Sequence, residues 1–377
     1  MKILFLSNLL AYGGASKLIY DLLPRMNQKG NDCELLILTD ENSKYVDDLR
    51  RQGIPVNIVP KSVKGHFARV QYILHWIKEG KYDVIHANLF PTTYYCSLIK
   101  RLLGKNCPPM VMTEHSTDNK RRHKSYLRLL EKFIYKKYDH IISISDKTQE
   151  NLCKWLGTEG DLRFSVVENG IDVDAFMSAK PVSRDSICNN YNQGDVLLLA
   201  VGSFTPQKNH LKLLEAIALL PDNYKILLAG EGPMQGAIKR KTLSLGIDER
   251  VFFLGFCRNI ANIMHAVDIL VIPSIWEGFG LVAVEAMACG LPIAASNVPG
   301  LAEIVGDVGK KFDPKKPEEI VNSIYSLTGK KNCESVRKKL ENRSNKYSID
   351  ITVKNYLEIY KFLINKTEKV IKTTVCR

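Results

Sequence analysis

The 377-residue chain has no run of eighteen apolar residues, so no segment of it is long enough to cross a bilayer as a helix. It has no low-complexity tract. Its nine cysteines stand apart at 33, 96, 107, 153, 188, 257, 289, 333 and 376, with no Cys-x-x-Cys pair among them. Isolated thiols in odd number point to a reducing, cytoplasmic setting and away from a zinc site. Metal-ligand spacing, a phosphate loop of the Walker type and a nucleophile elbow are also missing, which removes the sequence support for the chemistries those motifs carry. The apolar start Ile3-Leu4-Phe5-Leu6 is too short for a leader peptide, lacks a cleavage site and runs into Tyr12-Gly13-Gly14; it reads as a first strand.

What is present is the composition of a soluble globular protein, 45% hydrophobic and 25% charged, on a chain comfortable for two domains. The net charge of +13 is unevenly placed. Residues 100–138 hold eleven Lys or Arg against three acids, and residues 310–377 hold seventeen against eight. The first region contains Lys120-Arg121-Arg122-His123-Lys124 followed by Tyr126, Leu127, Leu129, Leu130, Phe133, Ile134 and Tyr135, which reads as a basic amphipathic helix. Such a face is either simply solvated or attaches to an anionic membrane surface. No nucleic-acid-binding motif accompanies the charge, so nucleic acid is not an expected partner.

Strand-like apolar runs recur at 2–7, 33–38, 54–59, 82–87, 109–113, 139–144 and 164–168, most of them separated by helix-length segments. A second series follows at 196–201, 224–229, 250–254, 268–272 and 291–295. The alternation predicts an α/β protein of two doubly wound parallel sheets. The polar stretch from Asn169-Gly170 to about Gly194 reads as a linker, and residues from Ser348 to about Ile371 read as a helix. The expected domains are 1–178 with about 350–377, and 190–349. Ligands of open α/β sheets bind at the strands' carboxyl edges, so the expected site is the cleft between two such edges.

The most informative run is Glu277-Gly278-Phe279-Gly280-Leu281-Val282-Ala283-Val284-Glu285. It follows the buried-strand pattern ending at Ile272-Pro273-Ser274 and leads into helical periodicity capped by Gly290. A strand, a glycine turn and a helix start present free N–H groups and the positive end of a helix dipole, suited to a phosphate or to sugar hydroxyls. Gly202-Ser203-Phe204-Thr205-Pro206-Gln207-Lys208 also follows a strand; alone, Lys208 reads as a surface cation, but at a strand's carboxyl end it faces the site. Gly230-Glu231-Gly232-Pro233 ends another strand in a glycine turn, structural or ligand-facing. In the first half, Gly13-Gly14 links strand to helix without the full Gly-x-Gly-x-x-Gly spacing, and Asp40 beyond the second strand keeps a dinucleotide reading open. His115 closes the strand at 109–113, where a structural and a site role both stand.

Gly202 to Lys208, Gly230 to Pro233, and Glu277 to Glu285 with Ala286-Met287-Ala288-Cys289-Gly290-Leu291-Pro292-Ile293 and Pro299-Gly300-Leu301-Ala302-Glu303-Ile304 resemble the family 4 retaining glycosyltransferases of the GT-B fold, over nearly the whole chain. The resemblance implies a nucleotide-diphosphate sugar held mostly by the second domain, an acceptor held mostly by the first, no divalent metal and no cofactor. It implies further that Glu285 holds the ribose hydroxyls and Glu277 sits beside the donor sugar. The N–H groups of Phe279 and Gly280, with neighbouring loop amides, would meet sugar hydroxyls or the pyrophosphate, and Gly278, Leu281, Gly202, Ser203 and Glu231 would be donor-binding as well. Lys208 would neutralise the diphosphate, Gly14 let the first loop approach it, and His115 lie near the transferred sugar. One departure stands out: Ser203 occupies the position where the family usually has Arg. The expected activity is transfer from a UDP-sugar to a saccharide or lipid-linked saccharide in surface polysaccharide synthesis, at the cytoplasmic membrane face. A nucleotide-sugar epimerase or hydrolase, and a nonenzymatic nucleotide-binding membrane protein, are the alternatives.

Overall fold

The computed structural model describes residues 1–11, 13–41, 43, 45–117, 119 and 121–375, with side chains to 367; Tyr12 and Lys120 of the segments above lie outside this set. The chain forms two compact units, Met1–Gly170 with Ile349–Arg377, and Ile171–Ser348.

The first unit is built on β1 (Lys2–Ser7), β2 (Asp32–Ile37), β3 (Val56–Ile58), β4 (Val84–Asn88), β5 (Met110–Glu114), β6 (His140–Ser143) and β7 (Phe164–Val166). They form one parallel sheet in the order β3-β2-β1-β4-β5-β6-β7. Strand β1 is apolar on both sides because both faces are covered. Its Ile3 and Phe5 join a core completed by helix Gly14–Gln28 (Leu18, Leu22, Met26) and by helix Ile349–Val375 (Val353, Tyr356, Tyr360). Its Leu4 and Leu6 face the opposite core, with Ile73 and Ile77 of helix His66–Gly80 and Ile99 of helix Thr92–Leu103. The last helix is also held by polar groups. Buried His86 bonds to the Tyr360 hydroxyl through Nδ1 and to Thr113 Oγ1 through Nε2 at 2.8 Å, and Thr113 Oγ1 lies 3.0 Å from the Tyr356 hydroxyl.

The second unit holds β8 (Val196–Val201), β9 (Tyr224–Ala229), β10 (Val251–Gly255), β11 (Ile269–Ile272), β12 (Ile293–Ser296) and β13 (Lys310–Phe312). These too are parallel, in the order β10-β9-β8-β11-β12-β13. Strand β13 is absent from the sequence reading; it is three residues long, begins with two exposed lysines and sits on an edge, so it carries no apolar signature.

Two expectations change. The polar stretch read as a linker packs onto the second unit: Arg184 pairs with Asp268 at 2.7 Å, Lys225 Nζ donates to Asn190 Oδ1 at 2.9 Å, and Cys188 is fully buried. Polar side chains bonded to strand ends look in sequence like solvated ones. Nor is the basic run one helix. The helix is confined to Leu127–Tyr135, and the two arginines before it turn inward. Arg121 Nε donates to Glu131 Oε1 at 2.8 Å, and Arg122 Nη2 lies 2.9 Å from Glu114 Oε2. Both carboxylates are buried, and a buried carboxylate without a partner is costly, so they hold the arginines out of solvent.

Candidate active site

In each sheet the chain reverses winding direction once, between β1 and β4 and between β8 and β11. The loops leaving neighbouring strands diverge there and open a crevice at the carboxyl edge. In the second unit, the loop after β8 and the loop after β11 flank that point. They are laced together: Ile275 N donates to Gln207 O at 2.8 Å, and Gln207 Nε2 donates to Trp276 O at 2.8 Å.

Across this seam Lys208 Nζ meets Glu277 Oε1 at 2.5 Å, and the Ser274 hydroxyl donates to the same oxygen at 2.7 Å. Lys208 is delivered by a single turn of tight helix, Pro206–Lys208, ended by Asn209 at φ 54°, after which helix His210–Ala218 begins. The short helix follows from Pro206 at its first position, where a missing N–H costs nothing. A third loop closes behind it. Gly230, after β9, packs so tightly that a Cβ would lie 2.0 Å from Gly202 O, and Phe204 N donates to Glu231 O at 2.9 Å. Ser203 sits in the loop after β8, and the Glu231 side chain is exposed.

The glycine turn behaves as its sequence implies. Gly280 stands at φ 90° immediately before helix Leu281–Ala288, and a Cβ on it would meet Leu301 Cδ1 at 2.8 Å, so both backbone and space favour glycine there. Gly278 precedes Phe279, whose ring is buried and packs edge-on to Tyr347 at 5.6 Å, anchoring the turn. The helix is buried almost all round; its one charged residue, Glu285, is 6% exposed. Burial, and then the Glu285 charge, push the nearby Cys289 thiol up to about 12, so it is no nucleophile at neutral pH.

Lys208 and Glu277 are therefore in contact, with Gly202, Ser203 and Glu231 on loops packed against one another and Gly278, Phe279, Gly280, Leu281 and Glu285 following on one turn and helix. Ser274 and Gln207 were not among the candidates: a serine after a strand and a glutamine in a loop carry no spacing signal. Gly14 and His115 belong to the first unit. Gly14 is the first residue of helix Gly14–Gln28, and the left-handed φ of 136° falls on Gly13 before it. His115 follows β5 and hydrogen-bonds through Nε2 to Asn88 Oδ1 at 2.9 Å. Burial pulls its imidazole down to about 4, so it is neutral at physiological pH.

Two family models match the chain: Glycosyltransferase Family 4 over residues 12–175 and Glycosyl transferases group 1 over residues 185–347. An uncharacterized glycosyltransferase of Methanocaldococcus jannaschii is 30% identical over 301 residues, 74% of this chain and 75% of its own length. The Escherichia coli UDP-Gal:alpha-D-GlcNAc-diphosphoundecaprenol alpha-1,3-galactosyltransferase is 27% identical over 282 residues, 71% of this chain and 72% of that one. Among solved structures, Anabaena HepE in complex with UDP and glucose superposes with a TM-score of 0.81 at 21% identity, covering 96% of this chain and 99% of that one. WaaG, a glycosyltransferase involved in lipopolysaccharide biosynthesis, superposes with a TM-score of 0.73 at 19% identity, covering 95% and 99%. Two parallel-sheet units, the Glu277–Glu285 turn and helix, and these matches together make the chain a member of the family 4, group 1 glycosyltransferases with the GT-B fold.

Proposed function

We propose that this glycosyltransferase moves one sugar from a UDP-sugar to a saccharide or lipid-linked saccharide in surface polysaccharide synthesis, with retained anomeric configuration and without a divalent metal. The observation that carries the reading is the Lys208–Glu277 pair at 2.5 Å, at the carboxyl-edge switch point of the second sheet. The E. coli galactosyltransferase, by name, takes UDP-Gal and a diphosphoundecaprenol-linked sugar, and HepE was crystallised with UDP and glucose, which supports the donor and acceptor classes.

In such a transfer the bond from the anomeric carbon to the diphosphate oxygen breaks and the acceptor oxygen takes its place, while the acceptor's proton is released. Negative charge grows on the departing diphosphate as positive charge grows on the sugar. Lys208, the N–H groups of Phe279 and Gly280 and the dipole of helix Leu281–Ala288 supply fixed positive potential for the first, with single donors worth a few kcal/mol in comparable sites. Glu277 stands beside the sugar and Glu285 takes the ribose hydroxyls. Gly14 admits the pyrophosphate to the first loop, and His115 meets the sugar. With Ser203 in place of arginine, Lys208 and the backbone donors carry the diphosphate. The chemistry needs no metal where a cation and N–H dipoles supply the charge. Neither the epimerase or hydrolase reading nor the nonenzymatic one has an observation in its favour.

The acceptor reading extends to the membrane. No helix among the described residues is long and apolar enough to cross a bilayer. The short helix Leu127–Tyr135 and the residue before it instead expose Tyr126 (71%), Leu129 (80%), Leu130 and Phe133, flanked by exposed Lys124, Arg128, Lys132 and Lys136. Apolar side chains ringed by cations fit the cytoplasmic, anionic face of a membrane, where each cation contributes on the order of 1 kcal/mol.

The test is a ligand-observed NMR screen of UDP-, GDP- and dTDP-sugars, followed by turnover of the bound donor with lipid-linked acceptor. Binding of a UDP-sugar and formation of an α- or β-glycoside matching the donor's configuration is expected. Donor consumption without acceptor, or an inverted product, overturns the proposal.

A further inference from the structure

Two residues at the carboxyl ends of β4 and β5, Asn88 and His115, form a hydrogen-bonded pair. Asn88 is the last residue of β4, is 2% exposed and lies opposite Thr113 in register. The chain turns away directly after it: Leu89 has φ 59°, and the Thr92 hydroxyl donates to Leu89 O at 2.6 Å and to Asn88 O, pinning the strand end. The Asn88 amide is oriented from its far side. Its Nδ2 donates to His86 O at 3.4 Å, which leaves Oδ1, an acceptor only, pointing 2.9 Å from His115 Nε2. An acceptor facing a ring nitrogen requires the proton on that nitrogen. Nδ1 is then a bare lone pair. It is buried, and no group among the described residues bonds to it.

We propose that Asn88 is a positioning residue that fixes His115 as the Nε2–H tautomer, so that the Nδ1 lone pair accepts a hydroxyl of the transferred sugar. This rests on the reading of His115 as a donor-sugar contact. A buried acceptor is an incomplete hydrogen-bond set, and a hydroxyl completes it without any change of charge. A cationic imidazole would have lost that lone pair, so neutrality is part of the design. Burial holds His115 neutral down to about pH 4. Its titratable surroundings do not oppose this. His86 on β4 is buried, held neutral and sensitive to any charge on His115, and Glu114 beside it is already committed to Arg122 at 2.9 Å and accepts from Ser116 N at 3.2 Å.

The experiment has two arms on the full-length protein. In the first, long-range ¹H–¹⁵N correlation spectra of the ligand-free protein identify the His115 tautomer in the wild type, in Asn88→Ala and in Asn88→Asp. Expected are Nε2–H in the wild type, mixed tautomers in Asn88→Ala, and an imidazolium that persists to near-neutral pH in Asn88→Asp, whose carboxylate favours the charged ring. Nδ1–H in the wild type overturns the inference whatever the ligand. In the second, calorimetry compares UDP with UDP-glucose and UDP-galactose. Asn88→Ala and His115→Ala are each expected to weaken the bound UDP-sugar about tenfold while leaving UDP unchanged, and the double variant is expected to be no weaker than His115→Ala, because Asn88 acts through the imidazole. Asn88→Asp should lose UDP-sugar affinity as pH falls through its new imidazole pKa, a dependence the wild type lacks between pH 6 and 8. Additive losses, or equal losses for UDP and UDP-sugar, assign Asn88 a merely structural role and overturn the inference. If the wild type binds neither UDP-sugar, the donor reading fails and takes the sugar hydroxyl with it, while the first arm still decides what Asn88 does. Thermal melting separates an unfolded Asn88→Ala from an informative one, with Asn88→Asp as the second variant.

Discussion

Lys208 reaches Glu277 by laying its aliphatic chain across Gly202, where a Cβ would meet Lys208 Cε at 3.2 Å and Cδ at 3.3 Å. Gly202→Ala should therefore shift the ammonium and lower kcat/KM severalfold, and at φ 151° it should also strain the backbone and lower the melting midpoint, measured by steady-state kinetics beside a melting curve. Lys208→Ala removes the cation outright and should lower kcat/KM at least tenfold, about 1.4 kcal/mol of transition-state stabilisation. Unchanged turnover would end its assigned role. Glu285→Ala should act differently, weakening UDP binding by roughly tenfold in calorimetry, because a ribose ligand is used in ground state and transition state alike. These two glutamates were legible as a spacing of eight around a glycine turn. Their neighbours were not: Ser274 acquires its role only because the turn folds its hydroxyl to within 2.7 Å of Glu277.

Two helices show what sequence periodicity does and does not convey. The run from Lys120 to Tyr135 has the composition of one basic amphipathic helix, yet its arginines are drawn into the fold by Glu114 and Glu131. Glu131 is fully buried and accepts from Arg121, from the Tyr94 hydroxyl at 2.7 Å and from Trp155 Nε1 at 2.8 Å. The exposed apolar patch ringed by cations reduces to Tyr126 and the nine-residue helix Leu127–Tyr135. Leu129→Asp with Phe133→Asp should abolish co-sedimentation with anionic vesicles while sparing binding to UDP; retained sedimentation would show that the patch is only solvated. The last helix, Ile349–Val375, was legible as a helix but not in its polar fastening. Tyr360→Phe removes the partner of His86 Nδ1 in a buried setting and should cost about 1–3 kcal/mol, read as a lowered midpoint in denaturant.

Across the whole molecule, three histidines that desolvation holds neutral, His86, His115 and His210, should limit stability in acid. His115 and His210 are pulled down to about 4, chiefly by burial, and burial also lowers His86 well below the usual imidazole range. In the unfolded chain each takes a proton near pH 6.5, whereas in the fold it does not. Stability should thus be level above about pH 6.5 and fall by roughly 1.4 kcal/mol per pH unit per histidine between there and about pH 4. Urea titrations at pH 7 and 5 would measure it, and a flat profile would mean the rings are solvated. The sequence by itself determined every strand but the edge strand β13, since buried parallel strands must be apolar throughout, and it determined the Glu277–Glu285 motif, since a glycine turn into a helix is written in adjacent residues. Only the tertiary structure decided which polar groups are partners. The residue pairs Lys208 with Glu277, His115 with Asn88 and Arg184 with Asp268 are distant in the chain. A single charged or amide side chain has the same local appearance whether it is solvated, paired or waiting for a ligand, and it is the meeting of strand ends at one edge that distinguishes the three.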